Sequence, residues 1–329
     1  MKKNVLNKRK EELLLCVNRK EEKVTQLSKE DELLMRYLLE YKIMLVEDTK
    51  LIYHSEWYHR KRIKKLIDQG YVKKYKFYYI ELDKKGRKLA GTTGKDYIKN
   101  KNNKSYMERL KQISNLATIT INSKLVFNPS WKIKQKDIYT DSARKYLGEL
   151  VNGNKRYLVY YISNKKETKY IHQLFYDINK VINHDEIIIF VDNLDKIKEE
   201  YDHLVFGKTH TYIITNSKEN RELIKQYDDI DFYEIVKTIY GEEKQILMSD
   251  WRIADYILED NHYIINMLFI DTEKLNELKW FFQENSTTKK KIDIITLKEN
   301  EDIINLLSPN NSKIIILDKK YLLKGAESE

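Results

Sequence analysis

Apolar residues recur at helical spacing between Ser28 and Tyr53 and again between Ser55 and Gly70. Leu33, Leu34, Tyr37, Leu38 and Tyr41 form one stripe, which predicts a helix opening at Ser28, with Glu30, Asp31 and Glu32 in its first turn. Residues 42–45 read as a short connection, and a second helix follows over about Val46–Tyr53 with Leu51 and Ile52 inward. Ser55 is the expected N-cap of a third helix whose inner face is His59, Ile63, Leu66 and Ile67. Trp57, Tyr58, Lys61, Arg62, Lys64, Lys65 and Asp68 are left on its outer side, and Gly70 supplies the left-handed stop. Val72 to Leu82 then alternates as a hairpin whose tip is Lys73-Lys74-Tyr75-Lys76, and Asp83 caps a closing helix, Lys84–Ala90. An amphipathic helix is expected upstream, over residues 4–24.

Beyond the polar stretch Gly91–Lys104 the pattern changes. A helix is expected over Ser105–Ala117, with strands at Thr118–Val126 and Trp131–Ile138. From Arg156 on, strands and helices alternate. The strands are expected at Tyr157–Ser163, Glu186–Asp192, Thr211–Thr215, Tyr263–Ile270, Lys291–Leu297 and Lys313–Asp318. The helices between them include Glu167–Ile182, Lys218–Gln226, Thr272–Gln283 and Glu299–Leu307. Short apolar runs such as Ile187–Val191 suit a sheet covered on both faces. The fold class is therefore mixed α/β. It divides into a helical and hairpin unit over residues 1–95, connecting elements over 96–155, and an α/β domain over 156–329.

Charge sharpens this division. Of the 61 Lys and Arg and 51 Asp and Glu, residues 1–140 hold 34 and 17, a net of +17. The remaining 27 and 34 leave residues 141–329 at −7. A Lys-rich composition bias would touch both halves, so the asymmetry draws a polyanion to the first. The single Cys16 excludes an intrachain disulfide and a cysteine-based zinc site. No apolar run reaches the ~18 residues of a membrane span, and Leu13–Val17 is too short for a signal-peptide core. A cytoplasmic protein with no membrane association is the expectation.

An α-helix fits the major groove of duplex DNA, where base edges carry a distinguishable code. The candidate DNA-binding residues are Ser55, Trp57, Tyr58, Lys61, Arg62 and Lys65 on the third helix, with Arg62 foremost for guanine. Lys73, Lys74 and Lys76 on the hairpin would meet phosphates or the minor groove. The competing reading is a solvated cationic helix used for protein contacts.

Catalytic patterns are weaker. Gly91-Thr92-Thr93-Gly94-Lys95-Asp96 follows a helix instead of a strand, has Leu89 where a P-loop has its first glycine, and has Asp96 where magnesium needs Ser or Thr. Tyrosine-dependent nicking needs clustered histidines, and the seven here are scattered with no H-x-H. Asp192/Asp195 and Asp228/Asp229/Asp231 read as strand-end caps and loops. No metal ligand, cofactor or catalytic residue is singled out.

The run Ile63-x-x-Leu66-x-x-x-Gly70-Tyr71-Val72, followed by Tyr79-Ile80-x-Leu82-x-x-x-Gly86, resembles winged helix-turn-helix proteins of the MarR-like type. The whole chain further resembles the replication-relaxation family of plasmids and other mobile elements. The matching features are Trp131, Asp141 within Tyr139-Thr140-Asp141-Ser142-Ala143, the strand Tyr157–Ser163 and the helix around Lys169–Tyr176. The resemblance implies a winged helix joined to a restriction-endonuclease-like domain, acting on DNA replication. This sequence lacks the proline before Asp141, and Tyr157–Ser163 has no carboxylate or lysine to complete a metal site, so a degenerate nuclease fold is implied. The expected role is non-catalytic, sequence-specific binding of double-stranded DNA in replication or its control. Promoter binding as a transcription regulator is the alternative, and a magnesium-dependent nuclease the second. Homodimerisation and contacts with replication or transcription proteins stay open as partner readings.

Overall fold

The structure, a computed structural model, describes residues 27–76, 78–91, 98, 102–133, 145–181, 184, 186–201, 210–259, 261–284, 290–307 and 312–323. It divides into two compact units, Met1–Tyr97 and Ile98–Glu329. The helix expected over residues 4–24 lies outside the described residues.

The first unit runs α1 (Lys29–Tyr41), β1 (Ile43–Leu45), a 3-10 turn into α2 (Lys50–Tyr53), α3 (Tyr58–Asp68), β2 (Val72–Tyr75), β3 (Tyr79–Leu82) and α4 (Lys84–Leu89). Ser28 begins α1 with a capping box: its hydroxyl accepts from the Asp31 amide, and its own amide donates to Asp31 at 2.8 Å. The expected connection at 42–45 is instead a strand, antiparallel to β3, giving a three-stranded sheet in the order β1-β3-β2. Ile43 and Met44 are too apolar to leave in water, and pairing with β3 buries both. The core is Leu34, Leu38, Ile52, Ile63, Leu66, Val72, Ile80 and Leu82.

Two glycines of the first unit are needed for different reasons. Gly70 lies at φ 76°, in the left-handed region, and turns the chain from α3 to β2. Gly86 is helical, but α4 presses it so close to the Tyr71 carbonyl that a Cβ would overlap the oxygen and crowd Leu82. Gly86→Ala is expected to cost about 1–3 kcal/mol by overpacking, read as a lower urea midpoint with unchanged slope.

The second unit contains α5 (Lys104–Ala117), β4 (Val126–Pro129), β5 (Gly148–Asn152), β6 (Lys155–Ile162), α6 (Thr168–Ile178), β7 (Glu186–Val191), α7 (Asp195–Glu200), β8 (His210–Thr215) and α8 (Lys218–Gln226). It continues with α9 (Phe232–Tyr240), β9 (Leu247–Met248), β10 (Tyr256–Leu258), β11 (His262–Met267), β12 (Ile270–Asp271), α10 (Thr272–Glu284), β13 (Lys291–Leu297), α11 (Glu301–Asn305), β14 (Ser312–Leu317) and α12 (Lys319–Leu323). Residues 118–125, expected to be a strand, form a 3-10 turn at Thr118–Thr120 and a bend. The strand starts only at Val126, and Trp131 lies in the turn after it. The segment 98–155 thus belongs to the α/β unit, because β4 and β5 are strands of its first sheet.

The two sheets repeat one topology. The first has the order β12-β8-β7-β6-β5-β4, the second β14-β13-β11-β10-β9. In each, three antiparallel strands (β4-β5-β6, β9-β10-β11) are extended by two parallel ones (β7-β8, β13-β14). The registers coincide: Tyr157 pairs with Glu186 as His262 pairs with Lys291, 105 residues on in both strands. Leu158, Tyr160 and Ile162 of β6 and the corresponding Tyr263, Ile265 and Met267 of β11 enter one shared core with α6, α10 and α11.

Candidate nucleic-acid interface

Helix α3 is fixed at its start by local bonds. Ser55 Oγ accepts from the Tyr58 amide at 3.0 Å, but the helix starts later than expected: its N-cap is Trp57, not Ser55, and no side chain caps it. His59 Nδ1 lies 2.7 Å from the Ser55 carbonyl, which can only accept, so Nδ1 carries the proton. Before it, Lys50 bridges Glu47 at 2.8 Å and Glu56 at 3.3 Å, and Arg60 reaches Glu47 at 2.9 Å. Hydrogen bonds from Lys50 and then Arg60 hold the Glu47 carboxyl down at about 2. The charge of Arg60 is therefore taken up within the protein.

Arg62 is corrected by the structure. It does not face outward: its side chain is 8% exposed and grips Asp31, which is fully buried in the first turn of α1. Tyr53 Oη of α2 donates to the same carboxylate at 2.8 Å. One carboxylate thus ties α1, α2 and α3 together. Burial alone would raise the Asp31 pKa, but the bonds from Arg62, the Ser28 amide and Tyr53 overcome it and hold it below the usual range. Burial and the Asp31 charge push the Tyr53 phenol up. The spacing carries this signal: His59, Arg62, Ile63 and Leu66 are one i, i+3, i+4, i+7 stripe.

The remaining residues separate by geometry. Trp57 is 80% exposed and Tyr58 is exposed beside it, with Lys61, Lys64 and Lys65 exposed along the same outer side of α3. Those three lysines have no carboxylate partner among the described residues. Lys73 lies in β2, not at the hairpin tip, and leans on Glu81 at 3.4 Å and Asp83 at 3.7 Å, which takes up its charge. Lys74 and Lys76 are exposed, Lys76 in the left-handed conformation at the turn, and the exposed Tyr78 follows. The structure therefore gathers Trp57, Tyr58, Lys61, Lys64 and Lys65 on one helix face and leaves Lys74 and Lys76 on the hairpin.

The acidic pairs of the second unit act within the fold. Asp192 accepts from Tyr161 Oη and from the Asn164 amide, Asp228 pairs with Lys155 at 3.5 Å, and Asp231 caps α9. Asp141 lies outside the described residues. Among the described residues no group of three or more His, Cys, Asp or Glu side chains is placed to hold a metal ion, and no helix is long and apolar enough to cross a membrane. Compared with known proteins, the chain matches no family model, no curated protein and no solved structure.

Proposed function

We propose that residues 28–90 are a winged helix-turn-helix that binds duplex DNA, with α3 in the major groove and the β2–β3 hairpin as the wing. The observation that carries this reading is the outer face of α3: two exposed aromatics at its start and three exposed lysines behind them, on a helix held in place by a buried ion pair. The order α1-β1-α2-α3-β2-β3 and the small sheet that holds the hairpin against the helices support it. Lys61, Lys64 and Lys65 meet phosphates or guanine edges, Lys74 and Lys76 meet the backbone beside the groove, and Trp57 offers an apolar surface to a thymine methyl group. With Arg62 inside the protein, guanine readout falls to the lysines.

The biological setting we propose is replication of a plasmid or mobile element, or its control, without catalysis. The nuclease alternative is not adopted, because β6 carries no carboxylate with which to build a metal site. Mapping bound sites across a host and its plasmids tests the setting. Repeated sites at a replication origin are expected, and a single promoter footprint would replace that reading with transcriptional control. Trp57→Ala is expected to leave stability within about 0.5 kcal/mol of the parent, while reducing discrimination at one thymine position through the lost apolar contact. Competition binding with a mapped site and a scrambled duplex measures this.

A further inference from the structure

The second unit holds an aromatic cage with a cation inside it. Lys290, the residue before β13, sets its Nζ 4.5 Å from the centre of the Trp251 ring, 4.6 Å from that of Tyr263 and 5.6 Å from that of Phe281. All three distances fall within the ~6 Å over which a ring face attracts a cation. The rings are turned to one another, Trp251 standing at 86° to Tyr263 and at 49° to Phe281. Each wall is fixed by the fold. Tyr263 is buried in β11 between Ile257 of β10 and Ile292 of β13, and Phe281 belongs to α10. Trp251 is held between β9 and β10, where its amide donates to Ser249 Oγ at 2.9 Å and its carbonyl accepts from the Ala254 amide at 2.9 Å. Trp251, Phe281 and Lys290 are half-buried, so the cage lies at the surface of the unit.

The resident ammonium suits these walls poorly. A primary ammonium is strongly hydrated and carries three N–H donors, and among the described residues no carboxylate or other acceptor reaches Lys290 Nζ. A quaternary ammonium has no donor to satisfy and is the cation that aromatic cages take. The exposed Asp250 beside Trp251 adds negative charge: burial first, and then that charge, push the Tyr263 phenol up. We propose that Trp251, Tyr263 and Phe281 form a binding site for the trimethylammonium group of a small molecule, with Lys290 as an internal occupant that the ligand displaces. Lys290 reaches the rings on a four-carbon stem, so it can withdraw without moving a wall. While it stays, apparent affinity falls by the fraction of time the cage is free.

The test uses the full chain with Trp57, Trp131 and Trp280, all exposed, replaced by Phe, so that Trp251 is the tryptophan left to report. Tetramethylammonium chloride, titrated against matched sodium chloride, is expected to change the Trp251 emission saturably. Lys290→Ala is expected to bring saturation at about tenfold lower concentration, the gain for a cage otherwise free about a tenth of the time. Phe281→Leu keeps an apolar group against the core but removes one wall, and is expected to weaken binding severalfold in the Lys290→Ala chain, with an unchanged far-UV spectrum. Choline is expected to bind where its uncharged analogue, with carbon in place of nitrogen, does not. A Lys290→Ala chain that responds to tetramethylammonium no more than to sodium overturns the proposal. So does equal affinity for choline and its uncharged analogue, or equal affinity with and without Phe281→Leu. Equal affinity in the parent and in Lys290→Ala overturns the part given to Lys290.

Discussion

Replacing Lys61, Lys64 and Lys65 together with alanine is expected to weaken duplex binding at low salt and to flatten its salt dependence. Each lysine that neutralises a phosphate releases counterions and contributes about −0.9 to the slope of log K against log salt. The triple variant should therefore lose up to about 2.7 of that slope, the share of three contacts. All three side chains are exposed on α3, so the thermal transition should stay close to that of the parent. Anisotropy titrations of a labelled duplex at several salt concentrations separate the two quantities. An unchanged slope with a stable protein would mean that α3 does not meet the backbone. The same series with Lys74→Ala and Lys76→Ala tests the β2–β3 hairpin by the same arithmetic.

Arg62→Ala should act on the protein and not first on DNA. Removing one partner of a buried ion pair leaves an uncompensated charge and costs about 3–5 kcal/mol, here the Asp31 carboxylate beneath three helices. Asp31→Asn with Arg62→Met removes both charges and is expected to recover much of that loss, since the Asn Oδ1 can accept from the Ser28 amide while its Nδ2 donates to the Tyr53 hydroxyl, which bond different oxygens of Asp31. The pH dependence has a definite sign. The folded Asp31 pKa lies below its ordinary value, so its contribution is complete above the usual carboxylate range. It is lost as pH falls through the folded value. The double variant should lack that part of the acid destabilisation. Denaturant melts from neutral pH downward check both points.

The first unit is legible in the sequence because its patterns are local. Ser28 with Asp31, the stripe through Leu66, Gly70 and the alternation to Leu82 each bring a few neighbouring residues together. Arg62 misleads because outward charge is the ordinary place for arginine, and only a carboxylate 31 residues away gives it reason to turn in. Ile43–Leu45 escapes detection as a strand because three residues are too few to show a period, and its partner β3 is distant in sequence. In the second unit, the long parallel strands stand out as apolar runs. The short members β9, β10 and β12 do not, being two or three residues long and defined by pairing alone. The repeat is hidden for a related reason: Ile188 corresponds to Asp293 and Tyr157 to His262, so the copies share registers and not side chains.

The exposed faces follow from that inner arrangement. On α3 and the hairpin, with Asp31 holding Arg62, Glu47 holding Arg60 and Glu81 and Asp83 beside Lys73, the exposed cations with no carboxylate partner among the described residues are Lys61, Lys64, Lys65, Lys74 and Lys76. The most direct test of DNA binding is the affinity of the parent chain for duplex DNA measured against salt. Binding is expected to weaken linearly in log K against log salt, with a slope set by several phosphate contacts. Failure to bind duplex of any sequence at about 50 mM salt, the low end of the range where phosphate contacts act most strongly, would contradict it.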